Sequence, residues 1–168
     1  MGEKARVGVS SCLLGEKVRY DGGDKLFPWL KQVLSLEAEL ISFCPEMIMG
    51  LGVPRETIGL YESSGSISLR RNKDRHDLSQ QALKSWERLS EELKCLDAFI
   101  LKSKSPSCGL ESTKLYDLDS KELVRGGENG FFVHFLKTEF PELYLIDELS
   151  LHSESGQADF LEYLIQTK

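Results

Sequence analysis

Three short apolar runs along the chain each lead into a cysteine. "ARVGVSSC" closes on Cys12, "LISFC" closes on Cys44, and "LDAFILKSKSPSC" passes through polar residues before it reaches Cys108. Short runs rich in Val, Ile and Phe, bounded by Gly, Ser and Pro, fit buried strands better than helices. Helical spacing lies between them. Residues 24–39 are apolar at Leu26, Trp29, Leu30, Val33 and Leu34, which predicts a helix with Asp24 at its start and Pro28 in its first turn. Residues 77–96 carry the clearest stripe, Leu83, Trp86, Leu89 or Ser90, Leu93 and Leu96, with Asp77 and Gln80 at capping-box spacing. Residues 129–140 predict another helix, 142–148 another strand, and 155–167 a closing helix. The intervening residues 50–75 are rich in Gly, Ser and charge, with a hairpin signal at Ser64 to Ser66.

Strands alternating with helices of this length predict an α/β fold, a single Rossmann-like domain over residues 1–168 with a mostly parallel sheet flanked by helices. With 168 residues and 40% apolar side chains, the chain has material for one substantial core. In open α/β sheets ligands gather at the carboxyl ends of the strands. Cys12, Cys44 and Cys108 each follow a predicted strand at that end, so three thiols distant in sequence could meet in one crevice. Core packing is the competing reading, because cysteine is among the most buried residue types. It suits Cys95, which sits beside Leu96 in the predicted helix, and it fits Cys108 worst, whose neighbours are polar.

Charge narrows the partners. A net charge of −6 argues against polymeric nucleic acid, which demands clustered cations. No apolar window is long enough to span a bilayer, the first residues resemble no secretory leader, and Arg6 stands where a myristoylation signal wants Ser or Thr. A cytoplasmic location is expected, where four cysteines serve as ligands, nucleophiles or core filler rather than in disulfides.

The cysteine loops carry unusual chemistry. "SSCLLG" sets two hydroxyls before Cys12, "CPE" sets a proline and a carboxylate after Cys44, and "SKSPSCG" surrounds Cys108 with hydroxyls, cations and a glycine. Lys102, Lys104 and Arg55 are available to favour thiolates. Glu46 reads equally as an acid or base and as a carboxylate placed by a helix N-terminus. His76, His134 and His152 have no ligand-like spacing, and "GLG" at residues 50–52 is too short for a dinucleotide fingerprint. Three chemistries fit convergent thiols: a zinc site, an iron–sulfur cluster with one iron lacking a protein ligand, and a thiol nucleophile. The residues alone leave these open.

"VSSCLLGEKVRYDGG", then "CPE" with "GLGVPRE", then "AFILKSKSPSCG", in this order, resemble the thiouracil desulfidase family, over about Val7 to Gly130. The resemblance implies a [4Fe-4S] cluster held by Cys12, Cys44 and Cys108, with Cys95 outside the motifs. It implies conversion of 2-thiouracil, or a related small thiolated nucleobase, to uracil and sulfide. The catalytic glutamate falls on Glu46 and the catalytic serine on Ser105, with Ser103 and Ser107 close by. Ser103, Asp21 and Arg55 become candidate substrate contacts through motif membership. The chemistry expected is a non-redox hydrolysis with the substrate sulfur on the open iron, requiring no nicotinamide or flavin. The alternative is a zinc-binding or sulfur-carrier module without desulfidase activity.

Overall fold

The computed structural model describes residues 2–168. Sheet A has the order β2-β1-β5-β8, built from Ala5–Ser10 (β1), Ala38–Phe43 (β2), Ala98–Leu101 (β5) and Tyr144–Asp147 (β8), and every neighbouring pair in it is parallel. Alternation explains how its centre is buried on both faces. Ala98 and Ile100 of β5 join one apolar cluster, while Phe99 and Leu101 join the other.

The first cluster lies under the β1-to-β2 crossover and the chain's last helix. Helical residues 28–37 include a π-helical stretch, Leu30–Leu34, and a closing turn, Ser35–Glu37 (α1). Leu30 and Leu34 meet Phe160 and Leu164 of Glu154–Gln166 (α6) there. The helix is shorter at both ends than its stripe predicts. Pro28 occupies its first position, Asp24 accepts the Leu26 N–H at 2.9 Å in a separate turn, and Ala38 and Glu39 belong to β2.

The other face of sheet A supports a short helix, Pro45–Ile48 (α2), together with Ser79–Glu87 (α3), Ser90–Leu93 (α4) and Phe131–Glu139 (α5). Trp86 is fully buried there against Phe132 and Phe135, with ring centroids 5.0 and 5.9 Å away. The single helix predicted over 77–96 is two helices, α3 and α4. Leu89 bonds back to Trp86, only three residues away, and the change of direction leaves Leu83 exposed while Leu93 and Leu96 reach the core. No capping box forms. Asp77 accepts the Ser79 N–H at 2.8 Å and pairs with Arg70, so its carboxylate serves the hairpin as well as the helix.

A second sheet stands beyond the predicted parallel one. Its order is β4-β3-β6-β7, from Ile58–Ser63 (β3), Ser66–Arg71 (β4), Thr113–Asp117 (β6) and Leu123–Glu128 (β7). β3 and β4 form the hairpin signalled at Ser64–Ser66, with Ser63 opposite Ser66. β6 and β7 carry too few apolar residues to read as strands. β7 is exposed along nearly its whole length and pairs through an irregular register with β6. Among the described residues no helix is long and apolar enough to cross a membrane.

Candidate active site at the strand ends

In sheet A the chain passes from β1 outward to β2 and then back across to β5, so the order reverses beside β1. Such a switch point opens a crevice at the carboxyl ends of the strands. Here it holds about 810 Å³, and Cys12, Cys44, Cys108, Glu46, Arg55 and Ser105 all line it.

Each thiol is presented by a different local device. Cys12 sits in the 3₁₀ turn Ser11–Leu14 that follows β1, and its carbonyl accepts the N–H groups of Gly15 and Lys25. Cys44 joins β2 to α2, where Pro45 fits the first helical position and leaves no donor stranded. The Trp86 indole N–H donates to the Pro45 carbonyl at 3.0 Å, tying this junction to the core.

Cys108 is buried, at 5% exposure, and packs in the larger apolar cluster. Its polar neighbours suggest the reverse, but the loop satisfies its own backbone. Ser105 Oγ accepts the N–H groups of Ser107 and Cys108 at 3.2 and 3.0 Å, and the Ser105 carbonyl accepts from Gly109 N–H and Thr113 Oγ1. The N-terminus of α5 completes the cradle, with Phe131 and Phe132 donating to the carbonyls of Pro106 and Ser107. A Cβ on Gly109 would stand 2.1 Å from Thr113 Oγ1, and one on Gly130 would stand 2.3 Å from the Ser107 carbonyl oxygen. Both glycines are required by close approach.

Burial makes all three thiols reluctant to ionise by themselves. It pushes Cys12 up to about 11, against the pull of the Arg19 and Lys102 cations. Burial also raises Cys44, although the Met47 N–H opposes it, and raises Cys108 well above its ordinary value, with the Ser10 hydroxyl opposing. Sulfurs of this kind give up their protons to a thiophilic metal ion. Among the described residues no three His, Cys, Asp or Glu side chains are grouped to hold one metal ion.

The other candidates divide by what their polar atoms are doing. Glu46 accepts the Arg55 Nε–H on Oε1 at 3.2 Å, while its Oε2 has no partner among the described residues. Arg55 also donates to the Gly52 carbonyl at 2.8 Å and is directed at Glu46 more than at open space. Ser105 has its acceptor capacity filled by two N–H groups, which leaves its one proton to donate. Ser103 has no such freedom: its hydroxyl donates to Glu148 Oε1 at 2.7 Å, and its N–H donates to Oε2 at 2.8 Å. Asp21 is exposed, accepts the Gly23 N–H in a local turn, and is absent from the crevice wall. Lys102 donates all three ammonium protons, to Glu148 and to the carbonyl and hydroxyl of Ser103.

Cys95 is exposed rather than a core residue, and its thiol donates to the Glu91 carbonyl at 3.3 Å where the chain leaves α4. The sequence reading did not single out Glu148 or Arg19 and set His152 aside for want of ligand-like spacing, yet all three line the crevice. Glu148 had one signal, a carboxylate at the carboxyl end of a predicted strand.

The profile of the family described as 2-thiouracil desulfurase matches residues 7–148. The chain belongs to that family. The 2-thiouracil desulfurase match runs past the motif-bearing segment and includes β8 and Glu148. A Bacillus subtilis (strain 168) protein, the uncharacterized YbbK, is 28% identical over 109 residues, covering 60% of this chain and 71% of YbbK. The solved structure of TudS, a [4Fe-4S]-dependent thiouracil desulfidase, aligns with a TM-score of 0.66 over 94% of this chain and 99% of TudS, at 24% identity. This 2-thiouracil desulfurase family member therefore shares the TudS fold, including an α/β arrangement with a parallel sheet.

Proposed function

We propose that this protein is a [4Fe-4S]-dependent desulfidase that removes sulfur from 2-thiouracil, or from a related small thiolated nucleobase, to give uracil and sulfide. The observation that carries the reading is the meeting of Cys12, Cys44 and Cys108 in one crevice with Glu46 and Ser105. The donor set fits the cofactor. Three thiols distributed around a wall, Cys12 and Cys108 buried and Cys44 half-buried, suit a cluster in which each cysteine binds a different iron, better than a single zinc ion that needs ligands at one point.

Cys12, Cys44 and Cys108 would hold the cluster, which with three protein ligands supplies one open iron as a thiophilic Lewis acid. The reaction exchanges C=S for C=O: one water is consumed, its oxygen bonds to the ring carbon, and the sulfur leaves with two protons as hydrogen sulfide. No electron is gained or lost. Glu46 takes a proton from the attacking water on its unpartnered Oε2, while Arg55 holds the other oxygen and orients the carboxylate. Ser105 donates its free proton toward the ring or the departing sulfur, fixed in direction by the two N–H groups it accepts. The walls, with Phe27, Val18 and Ile58 among them, provide apolar surface for a flat heterocycle.

The test is iron, sulfide and zinc analysis with a visible spectrum on protein purified without oxygen, followed by incubation with 2-thiouracil. About one cubane cluster per chain and stoichiometric release of uracil and sulfide are expected. A colourless protein that holds zinc after reconstitution and releases no sulfide would establish the zinc-binding or sulfur-carrier alternative.

A further inference from the structure

Glu148 is a buried carboxylate that the reaction above leaves unused. It follows β8 directly and is 5% exposed. Its Oε1 accepts the Lys102 ammonium at 2.5 Å and the Ser103 hydroxyl at 2.7 Å, and its Oε2 accepts the Ser103 N–H at 2.8 Å. Burial alone would raise this carboxyl, but the Lys102 and Ser103 donors outweigh it and hold the group below the usual carboxylate range. A buried ion pair is weak as a source of stability, since a well-packed apolar pair often does as well. Stability is therefore weak grounds for such a pair, and a use must come from elsewhere.

Position supplies one. Glu148 opens the wall that includes Leu149 and His152, whereas Lys102 and Ser103 open the loop that carries Ser105 and Cys108. The carboxylate thus joins two walls of the crevice. On its far side the loop is held by Ser105 itself, through Ser107, Cys108 and Gly109, and by the N-terminus of α5. On its near side the ties are the Lys102 N–H to Ser10 Oγ, the Lys104 N–H to Ser112 Oγ, and the double grip of Glu148 on Ser103 between them. Only Lys104 separates that grip from Ser105.

The geometry points to Glu148 as a positioning residue for Ser105: by gripping the N–H and O–H of Ser103 it sets the path of the loop and with it the direction of the Ser105 hydroxyl. Lys102 is the neutralising counter-ion of this device and not a substrate-binding cation, because no ammonium proton remains for a ligand. The role rests on the desulfidase reading given above.

The test compares the cluster-loaded parent with Glu148→Gln, which keeps the side chain's shape and removes its charge. Iron per chain, kcat and KM for 2-thiouracil, and amide hydrogen exchange of peptides covering residues 102–109 are measured. Iron content and KM close to the parent, kcat lower by about 10- to 100-fold, and faster exchange at residues 103–105 are expected. Parental kcat or unchanged exchange would overturn the proposal. Should Glu148→Gln fail to fold because it strands the ammonium, Lys102→Met with Glu148→Leu removes both charges. A folded, iron-loaded double variant with low kcat supports positioning; one with parental kcat, or one that also fails to fold, shows a purely structural pair and overturns it. If the parent releases no sulfide from thiouracil, the functional reading fails, and the exchange measurement alone decides whether Glu148 holds the loop.

Discussion

Arg55 Nε lies 3.2 Å from Glu46 Oε1, and both residues sit in the crevice wall, the Arg55 side chain 6% and the Glu46 side chain 17% exposed. One oxygen of Glu46 is thereby occupied and the other left to the crevice. The Arg55 N–H also donates to the Tyr20 carbonyl at 3.0 Å, so the "RYDGG" segment and the "PRE" segment are fixed to each other behind the carboxylate.

Arg55→Met should lower kcat for 2-thiouracil by about 10- to 100-fold at unchanged iron content and little-changed KM, since it frees Glu46 to turn. Arg55→Lys should recover only part, because a point charge cannot bond Glu46 and the Gly52 carbonyl together. Steady-state kinetics on iron-matched preparations decide it. A rise in KM at parental kcat would instead make Arg55 a substrate contact.

Glu46→Gln should keep the cluster spectrum and lose turnover by about 10²- to 10⁴-fold, the usual range for a general base. Single-turnover sulfide release measures this directly. An undiminished rate would remove Glu46 from the chemistry.

Alanine at Cys12, Cys44 or Cys108 should abolish iron binding on reconstitution, whereas Cys95→Ala should bind iron as the parent does. Cys95 is also exposed, so a maleimide should label it in the loaded protein while desulfidation continues. Intact mass together with activity on one sample is the readout; iron loss in Cys95→Ala alone would reverse the ligand assignment.

Gly130→Ala forces a Cβ within 2.3 Å of the Ser107 carbonyl oxygen, and backbone cannot swing aside as a side chain does. A loss of about 1–3 kcal/mol in urea unfolding is expected. Gly126→Ala, where an added Cβ meets nothing within 4 Å, should stay within about 0.5 kcal/mol and serves as the control.

The Glu148 carboxyl titrates lower in the fold than its ordinary value near 4.5. The unfolded chain therefore binds the proton first as acid is added, so the stabilisation is complete above that value and is lost as pH falls through the lowered one. Urea midpoints of the parent should fall as acid carries the pH from just above the ordinary value through the lowered one, and those of Glu148→Gln should fall less steeply over the same window. Parallel curves would show that Lys102 and Ser103 do not hold the charge.

The parallel sheet was legible because β5 is an unbroken apolar run buried on both faces and β1 is buried along nearly its whole length, while the edge strand β2 still carries Leu40, Ile41 and Phe43 ahead of Cys44. The second sheet was not, apart from its hairpin. β7 reads "LVRGGE", and its pairing depends on β6 rather than on any apolar alternation of its own. The Cys108 loop deceived in another way: polar side chains normally signal exposure, yet Ser105 and Thr113 spend their oxygens on the loop's own backbone and so permit it to sink. Motif membership placed Glu46, Arg55 and Ser103 on the crevice wall, but only the hydrogen bonds distinguish Ser105, with a proton to give, from Ser103, with none. Asp21 shows the limit of such membership, since its motif supplies Arg19 and Tyr20 to the wall while its own carboxylate closes a turn outside.

The three cysteines hang from β2, β1 and β5, neighbours in sheet A although they lie far apart along the chain. Until β5 pairs with β1, two of the thiols have no third, so the proposed ligand set is a product of tertiary folding and no stretch of local structure can prefigure it. A nascent polypeptide on the ribosome lacks the trio until residue 108 has been synthesised and has emerged. The α5 turn that braces Cys108 arrives later still. Assembly of the site is thus a late event in biogenesis, and a truncated translation product ending before β5 would carry Cys12 and Cys44 without Cys108.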